Sequence, residues 1–331
     1  MKTFILCVVI TLLTVSDFSS AQSFYSEDPL VATYSIVAKD PETGEMGVAV
    51  QSHWFSVGSI VSWGEAGVGV VATQSFVNPA FGPDGLELLK SGMTASEVVD
   101  KLIAEDEGRD VRQLAILDVN GNVKSYTGEK CISGAGNIVG ENYSVQANFM
   151  LNDLVPAAMS KAFEKSTGNL ADRMMAALFA AEEVGGDIRG KQSAAILVVK
   201  GESTGKVWED RLIDLRVEDH PAPLEELNRL LKVHRAYNHM NAGDLALEHG
   251  DMKLAMQEYS AAEAMFPENE EMKFWHAVTL ASNGDVEKSL PLFKEVFEKN
   301  ENWKTLTPRL VPIGQLTVNE EELKKILSVN E

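Results

Sequence analysis

Thr33-Tyr34-Ser35-Ile36-Val37-Ala38-Lys39-Asp40-Pro41-Glu42-Thr43-Gly44-Glu45-Met46-Gly47-Val48-Ala49-Val50-Gln51-Ser52 decides the fold. Thr33 to Lys39 alternates with the period of a strand, Asp40 to Gly44 is turn chemistry, and Gly47 to Ser52 is the returning strand. Downstream, Val57 to Ser62 and Gly67 to Thr73 read as strands. Helices are predicted over Pro83 to Lys90, ending at Gly92, and over Ala95 to Glu105 with Thr94 as N-cap. The order then repeats. Arg112 to Val119 and Asn122 to Thr127 are strands joined by a tight turn at Asn120-Gly121, and Ser144 to Asn148 is extended. Helices follow over Asp153 to Glu164 and Leu170 to Val184, the second closed by Gly185-Gly186. Ala194 to Val199 and Arg211 to Val217 supply the last strands. Strands, two helices, strands, two helices, strands predict an α+β domain over 33–217, built as a four-layer αββα sandwich.

Pro221 and Pro223 mark a boundary, and 222–331 reads as all helix. Gly243, Gly250, Ala255, Tyr259, Ala262 and Pro267 find counterparts 34 residues later at Ala277, Gly284, Ser289, Phe293, Val296 and Glu301. Small residues at helix contacts with an aromatic at a fixed offset resemble the tetratricopeptide repeat (TPR). That resemblance implies a protein or peptide partner; a helical appendage without a ligand is the alternative. Two repeats are fewer than such arrays need alone, so packing on flanking helices or the first domain is expected.

At the other end, Lys2, the apolar run Phe4 to Val15 and the small residues Ser19-Ser20-Ala21 read as a cleavable signal peptide over 1–21. The run is too short to span a bilayer, and no later segment is apolar enough, so no stable membrane insertion is expected. The chain is thus expected to be exported, to a periplasm or the extracellular space, with 22–32 as a short irregular leader. A net charge of −20, from 29 Lys+Arg against 49 Asp+Glu, argues against nucleic acid, which demands a basic face. Cys131 alone survives signal removal, so no internal disulfide is expected, and a small buried apolar role suits it best. Of six histidines only His53 lies in the first domain, which leaves no multi-histidine metal centre there, and no metal or other cofactor is expected. Asp118-x-Asn120-x-Asn122 lacks the glycine and glutamate placement of a calcium loop and reads as a hairpin turn.

The opening stretch resembles that of domain-of-unknown-function family 1028. Gly67-Val68-Gly69-Val70-Val71-Ala72-Thr73-Gln74-Ser75, Asn78-Pro79-Ala80-Phe81-Gly82, Tyr143 to Asn148 and Gly185 to Ala195 continue the likeness in order, across about 33–217. The family is placed with the N-terminal nucleophile (Ntn) hydrolases and has no firmly assigned reaction. What the superfamily resemblance implies is amide hydrolysis: the side chain opening the first strand attacks a carbonyl, and its own freed α-amine accepts the proton. Thr33 matches that position. A strand threonine favoured by β propensity would look the same, and Ser35, on the same strand face, is a weaker alternative.

Ser52 and His53 end the neighbouring strand, where they would tune the amine. His53 stands where the superfamily often has an assisting lysine, and as an exposed strand end it would need no catalytic role. Gln74, Asn78 and Asn148 are candidates to orient an amide substrate or to serve as oxyanion donors, or else are turn and edge residues. Asp187 and Arg189, after the glycine pair, are a candidate substrate-binding pair or a structural ion pair.

Two functions are therefore expected to compete. One is an exported Ntn-type hydrolase of a peptide or cell-wall-derived amide, whose repeats recruit a partner. The other is an exported, non-catalytic binding protein using the same fold. The first requires the Ala32–Thr33 bond to be cut, because signal removal after Ala21 leaves residues 22–32 in front of Thr33. The sequence leaves the oligomeric state open.

Overall fold

The computed structural model describes residues 29–330. The signal segment expected over 1–21, and residues 22–28 of the leader, lie outside the described residues. In chain order the elements are β1 (Leu30–Val31), β2 (Thr33–Lys39), β3 (Met46–Ser52), α1 (Gly58–Val61), β4 (Ser62–Glu65), β5 (Gly69–Phe76), α2 (Phe81–Lys90) and α3 (Ala95–Glu105). There follow β6 (Arg112–Asp118), β7 (Val123–Thr127), β8 (Gly136–Gly140), β9 (Tyr143–Ala147), α4 (Val155–Lys165), α5 (Leu170–Glu183), β10 (Ser193–Val199), α6 (Val207–Asp210) and β11 (Arg211–Val217). The remainder is helical: α7 (Pro223–Glu248), α8 (Met252–Met265), α9 (Glu270–Ser282), α10 (Val286–Lys299), α11 (Asn302–Leu310) and α12 (Glu320–Leu327).

Two antiparallel sheets organise the α+β part. One runs β1-β5-β6-β7, with β4 also paired to β5; the other runs β11-β10-β3-β2-β9-β8. The hairpin read from the opening stretch is present, in the register Thr33↔Ser52 through Lys39↔Met46. Alternation along β2 separates its two faces. Tyr34 turns to the helical side, where its hydroxyl bonds Glu182 of α5 at 2.8 Å and Gln51 at 2.6 Å. Thr33 and Ser35 turn to the opposite face, toward β5 and β6 of the other sheet. Helices α4 and α5 pack on β2, β3, β8 and β9, while α2 and α3 pack on β5, β6 and β7. Gly47 allows α5 its close approach, since a Cβ there would meet Met174 Cε at 2.5 Å. The N-cap expected at Thr94 is present and is completed to a capping box by Glu97, which holds the start of α3 by satisfying two orphan amides.

Two segments differ from their sequence reading. Val57 to Ser62, read as a strand for its β-branched residues, is instead the short helix α1, and β4 starts at Ser62. Ser56 precedes it with φ +58°, a turn that reverses the chain before a strand can form. The end of the leader, read as irregular, forms β1. The Asp118 carboxylate accepts hydrogen bonds from the amides of Asn120 and Asn122 and from Asn122 Nδ2, which closes the turn between β6 and β7.

By contact the chain divides into two compact units, residues 29–190 with 197–212, and residues 191–196 with 213–330. In the second unit each helix from α7 to α10 packs on the next, and α11 and α12 close on α10 around Phe274, Phe293 and Phe297. Gly250 and Gly284, 34 positions apart, both take left-handed φ (+75° and +86°) at helix ends. Gly243 lies under the Tyr259 ring, where a Cβ would stand 2.8 Å from the nearest ring carbon. Burial, with the Tyr259 hydroxyl donating to Asp244, pushes the Tyr259 phenol far above its ordinary range. Among the described residues, no helix is long and apolar enough to cross a membrane.

Gly243→Val drives a branched side chain into that ring. It is expected to destabilise the helical unit by about 1–3 kcal/mol through overpacking, read as a lowered melting transition with the α+β signal unchanged.

Candidate active site

At Ala32 the chain passes from one sheet to the other, because β1 pairs with β5 while β2 pairs with β3 and β9. The Ala32–Thr33 peptide is the crossing point, and both residues are fully buried. Ser52 Oγ donates to the Ala32 carbonyl at 2.5 Å, and Arg189 Nη2 donates to the same oxygen at 2.8 Å. Two donors, one of them cationic, thus converge on a single buried carbonyl oxygen. Charge-assisted bonds of this kind are about twice as strong as neutral ones. They withdraw electron density from the carbonyl and stabilise any negative charge that develops on it.

The guanidinium is itself held. Asp187, whose side chain is fully buried, accepts from Arg189 Nε at 3.0 Å and Nη2 at 2.7 Å, and from the His53 amide at 3.1 Å. Arg189 also lies over the Phe149 ring, 5.1 Å from its centroid. Phe149 holds φ +64°, a left-handed conformation that a bulky residue adopts only where its surroundings impose it. Gly185 and Gly186, with φ +123° and +53°, turn the chain out of α5 and into this loop. The sequence-predicted pair Asp187 and Arg189 is therefore an ion pair that fixes its loop and also reaches the Ala32 carbonyl.

Thr33 opens β2, and its Oγ1 donates to the Val31 carbonyl at 2.8 Å. Its own carbonyl accepts from the Asn148 amide at 3.0 Å and lies 3.3 Å from Gln74 Nε2. Behind it is a layer of neutral polar side chains between the sheets. Ser35 Oγ donates to Gln74 Oε1 and receives from Gln146 Nε2, each at 2.6 Å. Gln113 Oε1 accepts from Gln74 at 2.6 Å and from Asn148 at 2.9 Å, while Gln113 Nε2 donates to the Ala147 carbonyl at 2.9 Å. Buried amides are tolerable when they satisfy one another in this way. One polar atom at the edge of the layer, Asn148 Oδ1, is buried without a partner.

Of the sequence-predicted residues, Thr33, Ser52, Asp187 and Arg189 meet at or beside the Ala32 carbonyl. Gln74 and Asn148 meet the Thr33 carbonyl instead. Asn78 joins neither group: its Oδ1 accepts from the Ala80 amide and shapes the turn before α2. His53 contributes its backbone amide to Asp187; its ring Nδ1 is buried without a partner and lies near Gly190. Gln113 and Gln146 were not singled out in the sequence, where one follows Arg112 and the other stands between Val145 and Ala147. Cys131 is half-buried rather than enclosed; burial pushes its thiol upward, and it donates to the Arg112 carbonyl.

These features define an α+β protein with two facing antiparallel sheets and a buried hydroxyl residue opening a central strand. The chain belongs to the family of unknown function DUF1028, whose model matches residues 33–227. It is similar to protein SPO2555 from Silicibacter pomeroyi, whose crystal structure also carries that family's model. The identity is 32%, over 61% of this chain and 85% of that one, with a TM-score of 0.56. No curated protein matches the chain.

Gln113→Leu removes the acceptor on which the Gln74 and Asn148 amides converge, leaving Gln74 Nε2 the longer bonds to the Thr33 and Gln146 carbonyls at 3.3 and 3.4 Å and Asn148 Nδ2 that to the Thr33 carbonyl at 3.5 Å. It is expected to cost about 1–3 kcal/mol, the range for a buried polar group left poorly satisfied, measured as a lower urea midpoint at unchanged m-value.

Proposed function

We propose that this chain is an exported amide hydrolase of the Ntn type, activated by scission of its own Ala32–Thr33 bond. The observation that carries this reading is the convergence of Ser52 Oγ and Arg189 Nη2 on the Ala32 carbonyl, one bond from a residue with a nucleophilic hydroxyl. Most buried backbone carbonyls are satisfied by other backbone amides. A charged side chain drawn from 157 positions away is a costly way to satisfy one.

In the proposed scission, Thr33 Oγ1 attacks the Ala32 carbonyl carbon, and the oxyanion forms against Ser52 and Arg189. The C–N bond then breaks, the hydroxyl proton ends on the nitrogen, and an ester joins Ala32 to Thr33 Oγ1. Water hydrolyses that ester to the Ala32 carboxylate and a free Thr33. The new α-amine supplies the base that a threonine hydroxyl lacks, having an unperturbed pKa of about 7.7–8.0. In turnover the amine takes the hydroxyl proton as Oγ1 attacks a substrate amide and passes it to the leaving amine; water then releases the acyl group. The four-layer αββα arrangement of the Ntn hydrolases is consistent with how the helices and sheets pack. The 34-residue spacing supports a TPR-like role for 222–331 in binding a protein or peptide.

A non-catalytic binding protein is the second reading. It is favoured by the state of Thr33 in the uncut chain, where the residue is fully buried and its hydroxyl donates to Val31.

Intact mass and N-terminal sequencing of exported protein separate the two. Molecules starting at Thr33 are expected, and Thr33→Ala abolishes that species. Arg189→Ala slows its appearance by roughly 10²–10³, the cost of losing an oxyanion donor. A start at Gln22 in every molecule sinks the hydrolase reading. Amide hydrolysis by the cut protein is expected to fall as pH drops through the α-amine pKa, because a protonated amine cannot accept the nucleophile's proton.

A further inference from the structure

The leader strand sits where an acyl-side substrate would have to sit. β5 has β6 along one edge. Its other edge is shared: β4 covers Gly69 to Ala72, and β1 covers the end, with Leu30↔Phe76 and Val31↔Ser75. The Val77 amide donates to the Pro29 carbonyl at 3.0 Å, which extends the pairing by one residue. Lifting out residues 29–32 would expose a short strand edge, bounded by β4, that ends at the two donors on the Ala32 carbonyl. The edge is preformed and tightly held: Ser75 keeps a left-handed φ of +71°, and Arg112, paired to Asp106, donates to the Phe76 carbonyl at 2.6 Å.

We infer that this edge is a peptide-binding groove and that the leader is its first occupant. The reading deepens the hydrolase proposal and rests on it for the chemistry, though not for the binding. The substrate class is an extended peptide added as an antiparallel strand to β5, with its reactive carbonyl where that of Ala32 now lies. Backbone pairing supplies the affinity and alternate side chains the selectivity. The residue donating the carbonyl must be small, since Ala32 is fully enclosed. The residue before it must be aliphatic, as fully buried Val31 is. The third position, held by half-buried Leu30, tolerates variety. After scission the leader ends in a carboxylate facing Arg189 and the new α-ammonium, so it is retained as a product until a peptide displaces it.

The test uses two full-length proteins, neither able to react at position 33. In Thr33→Ala the leader remains seated. Thr33→Ala with Val31→Asp expels it, because an unpaired carboxylate cannot occupy that buried position. The probe is a fluorescein-labelled peptide, Asp-Pro-Leu-Val-Ala, with a free C-terminus, followed by fluorescence anisotropy. Saturable binding to the second protein and not to the first is expected. Replacing the peptide's Ala by Phe should weaken binding about tenfold or more. Circular dichroism and a melting curve verify that the double variant is folded; Val31→Ser replaces Val31→Asp if it is not. Absence of binding to a folded leader-expelled variant, or equal binding of the Ala and Phe peptides, overturns the groove. Binding by that variant combined with no cut at Ala32 in the wild-type chain overturns the hydrolase reading and leaves the groove standing. Scission without peptide binding does the reverse.

Discussion

The Ala32 carbonyl is the constraint from which the arrangement around Thr33 follows. A strand that leaves one sheet to open the other must carry at least one peptide group across the gap, and that group belongs to neither hydrogen-bond ladder. Its oxygen is buried, so water cannot satisfy it. The fold meets this demand with Ser52, from the strand beside β2, and Arg189, from the loop after α5. The need for Arg189 then propagates outward. Its charge requires the buried Asp187, Asp187 anchors the His53 amide, and the loop requires the glycine pair that ends α5. A topological requirement at one peptide thus dictates side chains on two segments far apart in the chain, the end of β3 and the loop after α5.

How far this was legible follows from the range of the interactions. The β2–β3 hairpin, the Thr94 cap and the turn at Asp118 are local: alternation, capping chemistry and turn residues lie within a few positions of one another. β1 escaped because two residues cannot display a period. Val57 to Ser62 misled because Val57, Ile60 and Val61 favour a strand by propensity, while the turn at Ser56 and the packing that buries Val61 outweighed that preference. The 34-residue spacing located the two left-handed glycines because each helix pair repeats the same turn.

The site was legible in its residues and not in its connections. Thr33, Ser52, Asp187 and Arg189 all stood out by position, yet nothing local says that a guanidinium at 189 reaches a carbonyl at 32. Gln113 and Gln146 were invisible for a related reason. On a strand a lone glutamine reads as an outward-facing exception; only the strand pairing shows that Gln74 lies directly opposite Gln113 and Ser35 directly opposite Gln146. Asn78 takes the turn role that its sequence also allowed, because an asparagine before a proline turn has a sufficient local use.

The layer between the sheets has a further property. Ser35, Gln74, Gln113, Ser144, Gln146 and Asn148 are hydroxyls and amides, and none gains or loses a proton anywhere near neutrality. The bonds that set the register of one sheet on the other are therefore indifferent to acidity. An interface built from carboxylates and imidazoles would loosen or tighten with each change of medium. This one holds its own bonds across such changes, and with them the Gln74 and Asn148 contacts to the Thr33 carbonyl.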